Sequence, residues 1–212
     1  MKLFGYYRSS AAYRLRIALN LKGVTADPHS VRLRRGEQAL PRYRSINPFG
    51  LVPALEHNGQ VFTQSLAIIE YLEEILPQPA LLPSDARDRA YVRSIALSIA
   101  CDIHPLNNLR VLNYLKDELA LETASRDRWY AHWIRTGLSG LETFLAGDSR
   151  VGTYCFGDVP GLADICLVPQ MYNAERMKCD ISDYPTLRRI TAAARTHPAF
   201  RAAEPEAQPD AE

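Results

Sequence analysis

Apolar and polar residues alternate in short runs over residues 1–80, and the spacing predicts strands that alternate with helices. Lys2–Tyr6 and His29–Leu33 are β-prone and predict the first two strands. Ser10–Lys22 carries apolar residues at helical spacing, and it is followed by Gly23, a residue that commonly ends a helix. Glu37–Arg44 predicts a short helix, weakened by its internal proline.

A β-hairpin and a third helix follow. Two β-prone runs, Val52–Glu56 and Gln60–Thr63, flank Asn58-Gly59, and Asn-Gly between such runs strongly indicates a tight hairpin. Ser65–Leu76 predicts a helix with Ser65 as its N-cap. The order strand, helix, strand, helix, hairpin, helix predicts a thioredoxin-like α/β domain. In this domain the first two strands are parallel and the hairpin is antiparallel.

The second half of the chain has almost no strand signal. Residues 77–85 (PQPALLPSD) contain three prolines and predict a linker. We therefore expect a thioredoxin-like domain over 1–80 and an all-α helical-bundle domain over 86–212. Residues 203–212 lack a large apolar anchor and are expected to form a disordered tail. The predicted helices are Ala86–Leu119, bent at Pro105, then Ala124–Leu145, Leu162–Met177 and Leu187–Thr196.

Charge and cysteine usage exclude several classes of protein. The 25 Lys and Arg residues nearly balance the 24 Asp and Glu residues, so the basic excess of a nucleic-acid binder is missing. No apolar run is long enough to span a membrane, and the start of the chain does not resemble a signal peptide. The four cysteines form no CxxC pair, and no metal site is predicted. We expect a cytoplasmic protein with reduced thiols.

Arg8-Ser9-Ser10 lies between the first strand and the first helix and is a candidate site for chemistry. A helix N-terminus has unpaired N–H groups and a partial positive charge. A serine hydroxyl there can donate a hydrogen bond to a thiolate and lower the pKa of the thiol. The alternative is that either serine only caps the helix.

Two further segments suggest a peptide-binding site. Pro53 stands where a thioredoxin-like domain has a cis proline, and the backbone of Val52 could then pair with an extended peptide. The alternative is a trans proline at the start of an edge strand. Gln64-Ser65 opens the third helix, where donors could hold a carboxylate, although plain capping is again possible.

Five segments of the sequence together form a recognisable pattern: RSSAAYRLRIAL, INPFGLVPALEHNG, TQSLAIIEYLEE, HPLNNLRVLNYL and GDVPGLADICLVPQMYNAER. They resemble the zeta class of glutathione transferases, and within that class its bacterial maleylpyruvate isomerase branch, a sister of the maleylacetoacetate isomerases. The resemblance extends from Lys2 to about Phe200 and has two departures. Ala11 replaces a cysteine of the zeta motif, and Gly161 replaces the usual hydroxyl at a helix cap, with Asp164 as its acidic partner.

The resemblance implies the glutathione transferase fold, glutathione as cofactor, a small dicarboxylate substrate and a homodimer, with no nucleic-acid or membrane partner. It implies that Ser9 holds the glutathione thiolate, supported by Ser10. The implied cofactor-binding residues are Ser9, Ser10, Gln38, Val52, Pro53, Gln64, Ser65, His104, Asn108 and Arg110. The implied catalytic residues are Ser9, Ser10, Arg8, Arg110 and Arg176, where the arginines bind substrate carboxylates.

Helix geometry supports part of this assignment. His104 and Asn108 are four residues apart and share one face of a helix. Arg110 would point elsewhere on a straight helix, so its role depends on the resemblance. Arg176 could instead interact with a helix dipole. Tyr6 and Tyr7 could mimic the tyrosine that other glutathione transferases use, which is a minor alternative.

The implied activity is glutathione-dependent cis–trans isomerisation of maleylpyruvate to fumarylpyruvate in gentisate breakdown. The thiolate would add to the double bond and leave again after rotation. Three alternatives stay open. The substrate could be maleylacetoacetate, the enzyme could conjugate or dehalogenate α-haloacids, or the chain could be a non-catalytic interaction protein with this fold.

Overall fold

The computed structural model describes residues 1–212 and consists of two compact units. The first unit contains Met1–Leu81 together with Arg195–Glu212, and the second contains Leu82–Ala194. The boundary near residue 81 lies in the predicted proline-rich linker. No helix combines the length and the apolar character needed to cross a membrane.

A four-stranded mixed sheet forms the centre of the first unit, as predicted for a thioredoxin-like domain. The strands are β1 (Lys2–Gly5), β2 (Asp27–Ser30), β3 (Ala54–His57) and β4 (Gln60–Thr63), in the order β2-β1-β3-β4. β1 pairs in parallel with β2 and antiparallel with β3, while β3 and β4 form the predicted hairpin. Asn58 and Gly59 both have positive φ (51° and 77°), as a tight hairpin turn requires.

Three helices belong to the first 81 residues: α1 (Ser10–Leu21), α2 (Pro41–Arg44) and α3 (Ser65–Ile75). The predicted helix over 37–44 is instead a 3₁₀ turn, Glu37–Ala39, followed by α2. Leu40 separates them with extended backbone (φ −70°, ψ 145°), because a proline disfavours helical backbone in the residue before it.

The second strand begins and ends earlier than predicted. β2 covers 27–30, whereas the apolar residues that suggested a strand over 29–33 lie beyond its end. Val31 is buried with Phe4 and Tyr43, and Leu33 packs against the same cluster. The apolar run therefore fills the core from a loop, while the strand itself is an exposed edge.

The carboxyl-terminal segment corrects both the predicted domain limits and the expected disordered tail. Residues 195–212 belong to the first unit, where they include α9 (Pro198–Arg201) and a 3₁₀ turn, Pro205–Ala207. Ala203 is completely buried and Pro205 is also buried. Small apolar residues and hydrogen bonds anchor this segment. The lack of large apolar side chains therefore did not imply disorder.

The second unit is helical, as predicted. Its helices are α4 (Ala86–Leu97), α5 (Leu109–Asp117), α6 (Thr123–Leu145), α7 (Leu162–Arg176) and α8 (Pro185–Thr196), of which the last two residues belong to the first unit. The single helix predicted over 86–119 is interrupted by a π-helical turn, Ser98–Ile103, and a 3₁₀ turn, His104–Asn107. Pro105 has no N–H group for a continuous helix, and Asn108 caps a new one.

Candidate active site

The junction of β1 and α1 presents a serine hydroxyl at the start of a helix. Ser9 is the N-cap of α1, and its Oγ accepts a hydrogen bond from the Ala12 N–H at 3.2 Å. A hydroxyl that accepts in this way still has its own hydrogen to donate. Capping the helix and donating to a ligand are therefore compatible roles for Ser9, so one role does not exclude the other.

The surroundings distinguish Ser9 from its neighbours. Ser10 is only 4% exposed, whereas Ser9 and Arg8 are half-buried, so a ligand can reach Ser9 more easily. The first turn of α1 contains no acidic side chain, so its partial positive charge is not neutralised there. The Arg8 guanidinium lies 5.2 Å from the centre of the Tyr7 ring.

Tyr6 and Tyr7 are packed into the protein, with 5% and 3% exposure. Burial, reinforced by neighbouring Tyr7, raises the pKa of Tyr6. The Tyr7 hydroxyl donates to the backbone carbonyl of Glu212 at 3.3 Å. These phenols are thus core groups, which disfavours the alternative of a catalytic tyrosine.

The Val52–Pro53 peptide bond is cis, a point that the sequence left open. β3 begins only at Ala54, and no backbone–backbone hydrogen bond involves Val52. The preceding carbonyl, of Leu51, accepts hydrogen bonds from the Tyr43 hydroxyl (2.6 Å) and the Asn47 amide (2.7 Å). The bonds to Leu51 consequently fix the chain next to Val52, while the N–H and C=O groups of Val52 have no backbone partner.

Gln64 connects β4 directly to α3 with an unusual backbone conformation. Its φ of 68° and ψ of 115° lie outside the common regions for a non-glycine residue, a strain of order 1–3 kcal/mol that often marks functional sites. Gln64, not Ser65, is the N-cap of α3, so that prediction shifts by one residue. The Gln64 side chain makes no capping bond and is exposed, and the first turn of α3 contains no acid.

Gln38 has a buried acceptor without a partner. Its Oε1 atom makes no hydrogen bond in the protein, although nearly all buried polar atoms in folded proteins make one. A Cβ atom added at Gly50 would lie 3.0 Å from the backbone oxygen of Gln38, and Gly50 also has a positive φ of 62°. Glycine at position 50 therefore lets the two segments approach closely. A ligand that supplies a donor would satisfy Gln38.

The predicted residues of the second unit cluster only in part. Asn108 caps α5 by accepting from the Arg110 N–H at 3.1 Å, and its amide nitrogen lies 3.5 Å from Nε2 of His104. Arg110 is exposed at the second position of α5. Because the helix is interrupted before α5, the direction that Arg110 would have on one straight helix with His104 does not apply. Arg176 is exposed at the end of α7, close to Tyr130. Burial raises the pKa of Tyr130 to about 12 against the opposing effect of the Arg176 charge.

Gly161 is the N-cap of α7 and has no side chain to accept a hydrogen bond, so only the Asp164 half of a capping box is present. The Asp164 carboxylate accepts from the backbone N–H groups of Gly161 (2.9 Å) and Cys155 (2.8 Å). With 1% exposure it has no access to a ligand, and burial raises its pKa. This helix start is a structural element, as its sequence suggested.

Two residues near the candidate site were missed by sequence reasoning. Arg16 donates to the backbone carbonyl of Tyr7 at 2.9 Å, and Asp210 accepts from the Tyr7 N–H at 3.2 Å. Tyr7 and Asp210 are 203 positions apart, and no local pattern connects residues at that distance.

The chain matches one described protein family and several named proteins. Residues 3–80 match the family described as glutathione S-transferase, N-terminal domain. The "Probable maleylacetoacetate isomerase" of Vibrio cholerae is 50% identical over 99% of this chain and 97% of its own length. The "Maleylpyruvate isomerase" of a Ralstonia species is 47% identical over 99% of both chains.

Solved structures are equally similar. A holo structure of maleylpyruvate isomerase, described as a bacterial glutathione S-transferase of the zeta class, superimposes with a TM-score of 0.98 at 47% identity over all of both chains. The chain belongs to the zeta class of glutathione transferases. Maleylacetoacetate isomerase from Methylobacterium extorquens, determined with bound malonate and glutathione, gives a TM-score of 0.97 at 39% identity, again over all of both chains.

The polar groups of this zeta-class chain fit glutathione chemically. Glutathione has a thiol, two carboxylates and two peptide groups. The first unit offers a serine donor at Ser9, the unpaired backbone of Val52 and the buried, unpaired Oε1 of Gln38. The start of α3 behind Gln64 adds N–H groups suited to a carboxylate.

Proposed function

We propose that this zeta-class chain catalyses the glutathione-dependent cis–trans isomerisation of maleylpyruvate to fumarylpyruvate. The observation that carries the proposal is Ser9, a hydroxyl with a free hydrogen at the start of a helix whose first turn contains no acidic side chain. Full-length similarity to isomerases that share this reaction type supports it.

When bound, glutathione supplies a thiolate that adds reversibly to the carbon–carbon double bond of the substrate, so that rotation becomes possible. In our proposal Ser9 donates a hydrogen bond to the sulfur, and the N-terminus of α1 favours its negative charge. Ser10 supports the loop from its buried position.

The rest of the cofactor site is proposed to hold the tripeptide. The Val52 backbone, before Pro53, pairs with its central peptide, and Gln38 contacts its glycyl end. Gln64 and Ser65 bind the γ-glutamyl carboxylate, helped by the N–H groups of the first turn of α3. The strained backbone of Gln64 suits this role, because such strain persists where a site needs a particular orientation.

Arginines are the proposed ligands of the substrate carboxylates. Arg8, Arg110 and Arg176 are half-buried or exposed, and none forms a salt bridge with an acidic side chain. The malonate bound to the Methylobacterium relative supports a small dicarboxylate as the substrate class. We assign His104 and Asn108 to the cofactor on the same grounds of sequence resemblance.

An ultraviolet assay of maleylpyruvate isomerisation, with and without glutathione, tests the proposal. We expect turnover only with glutathione and a constant level of free thiol, because isomerisation regenerates the cofactor. Stoichiometric loss of free thiol would instead indicate conjugation or dehalogenation. Absence of both glutathione binding and turnover would indicate a non-catalytic protein.

Maleylacetoacetate is the second candidate substrate, since the Vibrio cholerae relative at 50% identity carries that name. The two substrates differ by one methylene, and pockets discriminate such a difference by about 1–3 kcal/mol. We expect the kcat/KM for maleylpyruvate to be the higher of the two. A ratio in the opposite direction would assign the chain to maleylacetoacetate.

The arginine roles are tested by Arg110→Ala and Arg176→Ala, with the exposed Arg188→Ala of α8 as matched control. Loss of one guanidinium leaves a substrate carboxylate unpaired, which costs on the order of 1–3 kcal/mol, or about 5–150-fold in kcat/KM. We expect glutathione binding to persist in Arg176→Ala. Unchanged kinetics in both variants would contradict the arginine assignment.

We also propose a cytoplasmic homodimer, on the basis of the zeta-class resemblance. The absence of CxxC pairs is in keeping with a reducing compartment. Light scattering coupled to gel filtration tests the dimer directly. A mass of one chain at micromolar concentration would contradict it.

A further inference from the structure

The carboxyl-terminal strap, which we define as residues 203–212, bonds to the loop that presents Ser9. The Tyr7 N–H donates to Oδ2 of Asp210 at 3.2 Å, and the Ser30 hydroxyl donates to the same oxygen at 2.8 Å. The Tyr7 hydroxyl donates to the backbone carbonyl of Glu212. Asp210 therefore connects the start of the β1–α1 loop to the end of β2.

Arg16 connects the other polar group of the Tyr7 backbone to the same strap. Its Nη2 atom donates to the Tyr7 carbonyl at 2.9 Å, and its Nε atom donates to the Ala203 carbonyl at 3.0 Å. Both the N–H and the C=O of Tyr7 are thus bound by the strap, or by a residue that also binds the strap. All of these residues belong to the first unit.

The distance from this clamp to Ser9 is short along the chain. Ser9 follows Tyr7 by two residues, and its N–H donates to the Tyr6 carbonyl at 2.9 Å. A displacement of the Tyr7 peptide would therefore move Ser9. Hydrogen bonds to a carboxylate are stronger than bonds between neutral groups, which makes Asp210 suited to fixing a loop.

We propose that Asp210 is a positioning residue, which acts through the Tyr7 backbone to fix the Ser9 hydroxyl against the cofactor sulfur. The inference rests on the proposed function for its effect on activity, while the clamp itself concerns the protein alone. No contact of Asp210 with the substrate or the cofactor is implied.

Anchorage of the strap does not depend on Asp210. Ala203 and Pro205 are buried, and Gln208 donates to the carbonyls of Ala202 and Glu204 at 3.0 and 2.8 Å. Asp210 is itself partly exposed. Its replacement should therefore loosen the β1–α1 loop while the strap stays attached.

The test compares Asp210→Ala and Asp210→Asn with Asp27→Ala, a matched control in which an exposed aspartate of β2 is removed. The first measurement follows the ultraviolet absorbance of the bound glutathione thiolate against pH. The second measures kcat/KM in the isomerase assay. The third measures amide hydrogen exchange of residues 7–10 without glutathione.

We expect Asp210→Ala to raise the pKa of the bound thiol towards its solution value and to lower kcat/KM by about tenfold, the effect of roughly one lost hydrogen bond. Asp210→Asn retains an acceptor and should recover most of this loss. Ser30→Ala, a surface change that preserves folding, should shift the thiol pKa in the same direction by a smaller amount. Exchange of the Tyr7 amide should become faster in Asp210→Ala.

The positioning role would be overturned if Asp210→Ala had the same thiol pKa and the same kcat/KM as the wild type. It would also be overturned if the variant lost stability without any change in the thiol pKa. If the wild-type protein failed to bind glutathione, the proposed function would fall. The hydrogen-exchange comparison would still decide the clamp in that case: faster exchange at Tyr7 supports it, and unchanged exchange refutes it.

Discussion

The starts of α1 and α7 are built from similar elements but have opposite surroundings. At α1 a hydroxyl, Ser9, caps the helix, is half-buried and keeps a hydrogen to donate. At α7 a carboxylate, Asp164, accepts from two backbone N–H groups and is almost completely buried. The α1 start keeps a hydroxyl donor and its positive charge available to a ligand, whereas the acid at the α7 start is buried and already bound within the protein.

This difference indicates what makes a helix N-terminus a binding site. Every helix start has unpaired N–H groups and a partial positive charge. The start serves a ligand when its cap retains a donor and solvent can reach it, as at Ser9. It serves stability when a buried acid of its first turn binds backbone N–H groups of the cap and of the preceding segment, as Asp164 does at Gly161 and Cys155. A third start, at Gln64 of α3, resembles that of α1 because its first turn contains no acidic side chain, although α3 has no capping side chain.

The largest expected effect is on stability, in Asp164→Ala. Removal of the carboxylate leaves the buried N–H of Cys155 and the partly buried N–H of Gly161 unpaired. A buried unpaired group costs about 1–3 kcal/mol, so we expect the free energy of unfolding to fall by roughly 2–4 kcal/mol. Urea unfolding measures this loss, with Asp183→Ala, the removal of an exposed carboxylate, as control. A stable Asp164→Ala protein that had lost glutathione affinity would reverse our assignment of the two helix starts.

Ser9→Ala should affect chemistry more than stability. Loss of a hydrogen bond to a charged sulfur costs about 1.5–3 kcal/mol, which corresponds to a fall of about 10–100-fold in kcat/KM. Loss of the cap lowers the free energy of unfolding by about 0.5–2 kcal/mol. Steady-state kinetics and urea unfolding separate the two effects, and Ser9→Thr should restore part of the activity because it keeps the hydroxyl. Full activity in Ser9→Ala would contradict the thiolate role.

Gln64→Ala extends the comparison to α3. It keeps the strained backbone but removes the side-chain donor, so we expect glutathione to bind about tenfold more weakly with little change in stability. Calorimetric titration with glutathione measures the affinity. Gln60→Ala, the loss of an exposed glutamine of β4, is the matched control and should bind as the wild type does. Equal affinities in the two variants would remove Gln64 from the site.

The smallest effect concerns pH and the α7 start. Burial raises the pKa of Asp164 in the folded state above its unfolded value, so its protonated form is favoured by folding. That contribution to stability is complete below the unfolded pKa and is lost as the pH rises through the folded pKa. The stability of the wild type relative to Asp164→Asn should therefore increase on acidification. If the difference in stability between the wild type and Asp164→Asn were independent of pH, burial would not raise the pKa of Asp164.

Much of the fold was predictable, because its signals act over a few residues. The turn at Asn58-Gly59, the end of α1 before Gly23 and the cap at Gly161 each depend on local backbone preferences. The predicted sheet, parallel at one side and antiparallel at the other, is confirmed by the strand pairings. The limits of β2 were predicted less well, because Val31 lies beyond the end of the strand and its apolar side chain packs into the core from a loop.

The candidate site divides in the same way. The sequence by itself determined which groups are available at the helix starts: the Ser9 hydroxyl, the donors behind Gln64 and the arginines. Only the tertiary structure decided that Val52 lies outside the ladder, that Gln64 adopts a positive φ, and that Asp210 binds the Tyr7 backbone. Local preferences determine the first set, whereas the second depends on contacts between segments far apart in the chain, which no short pattern encodes.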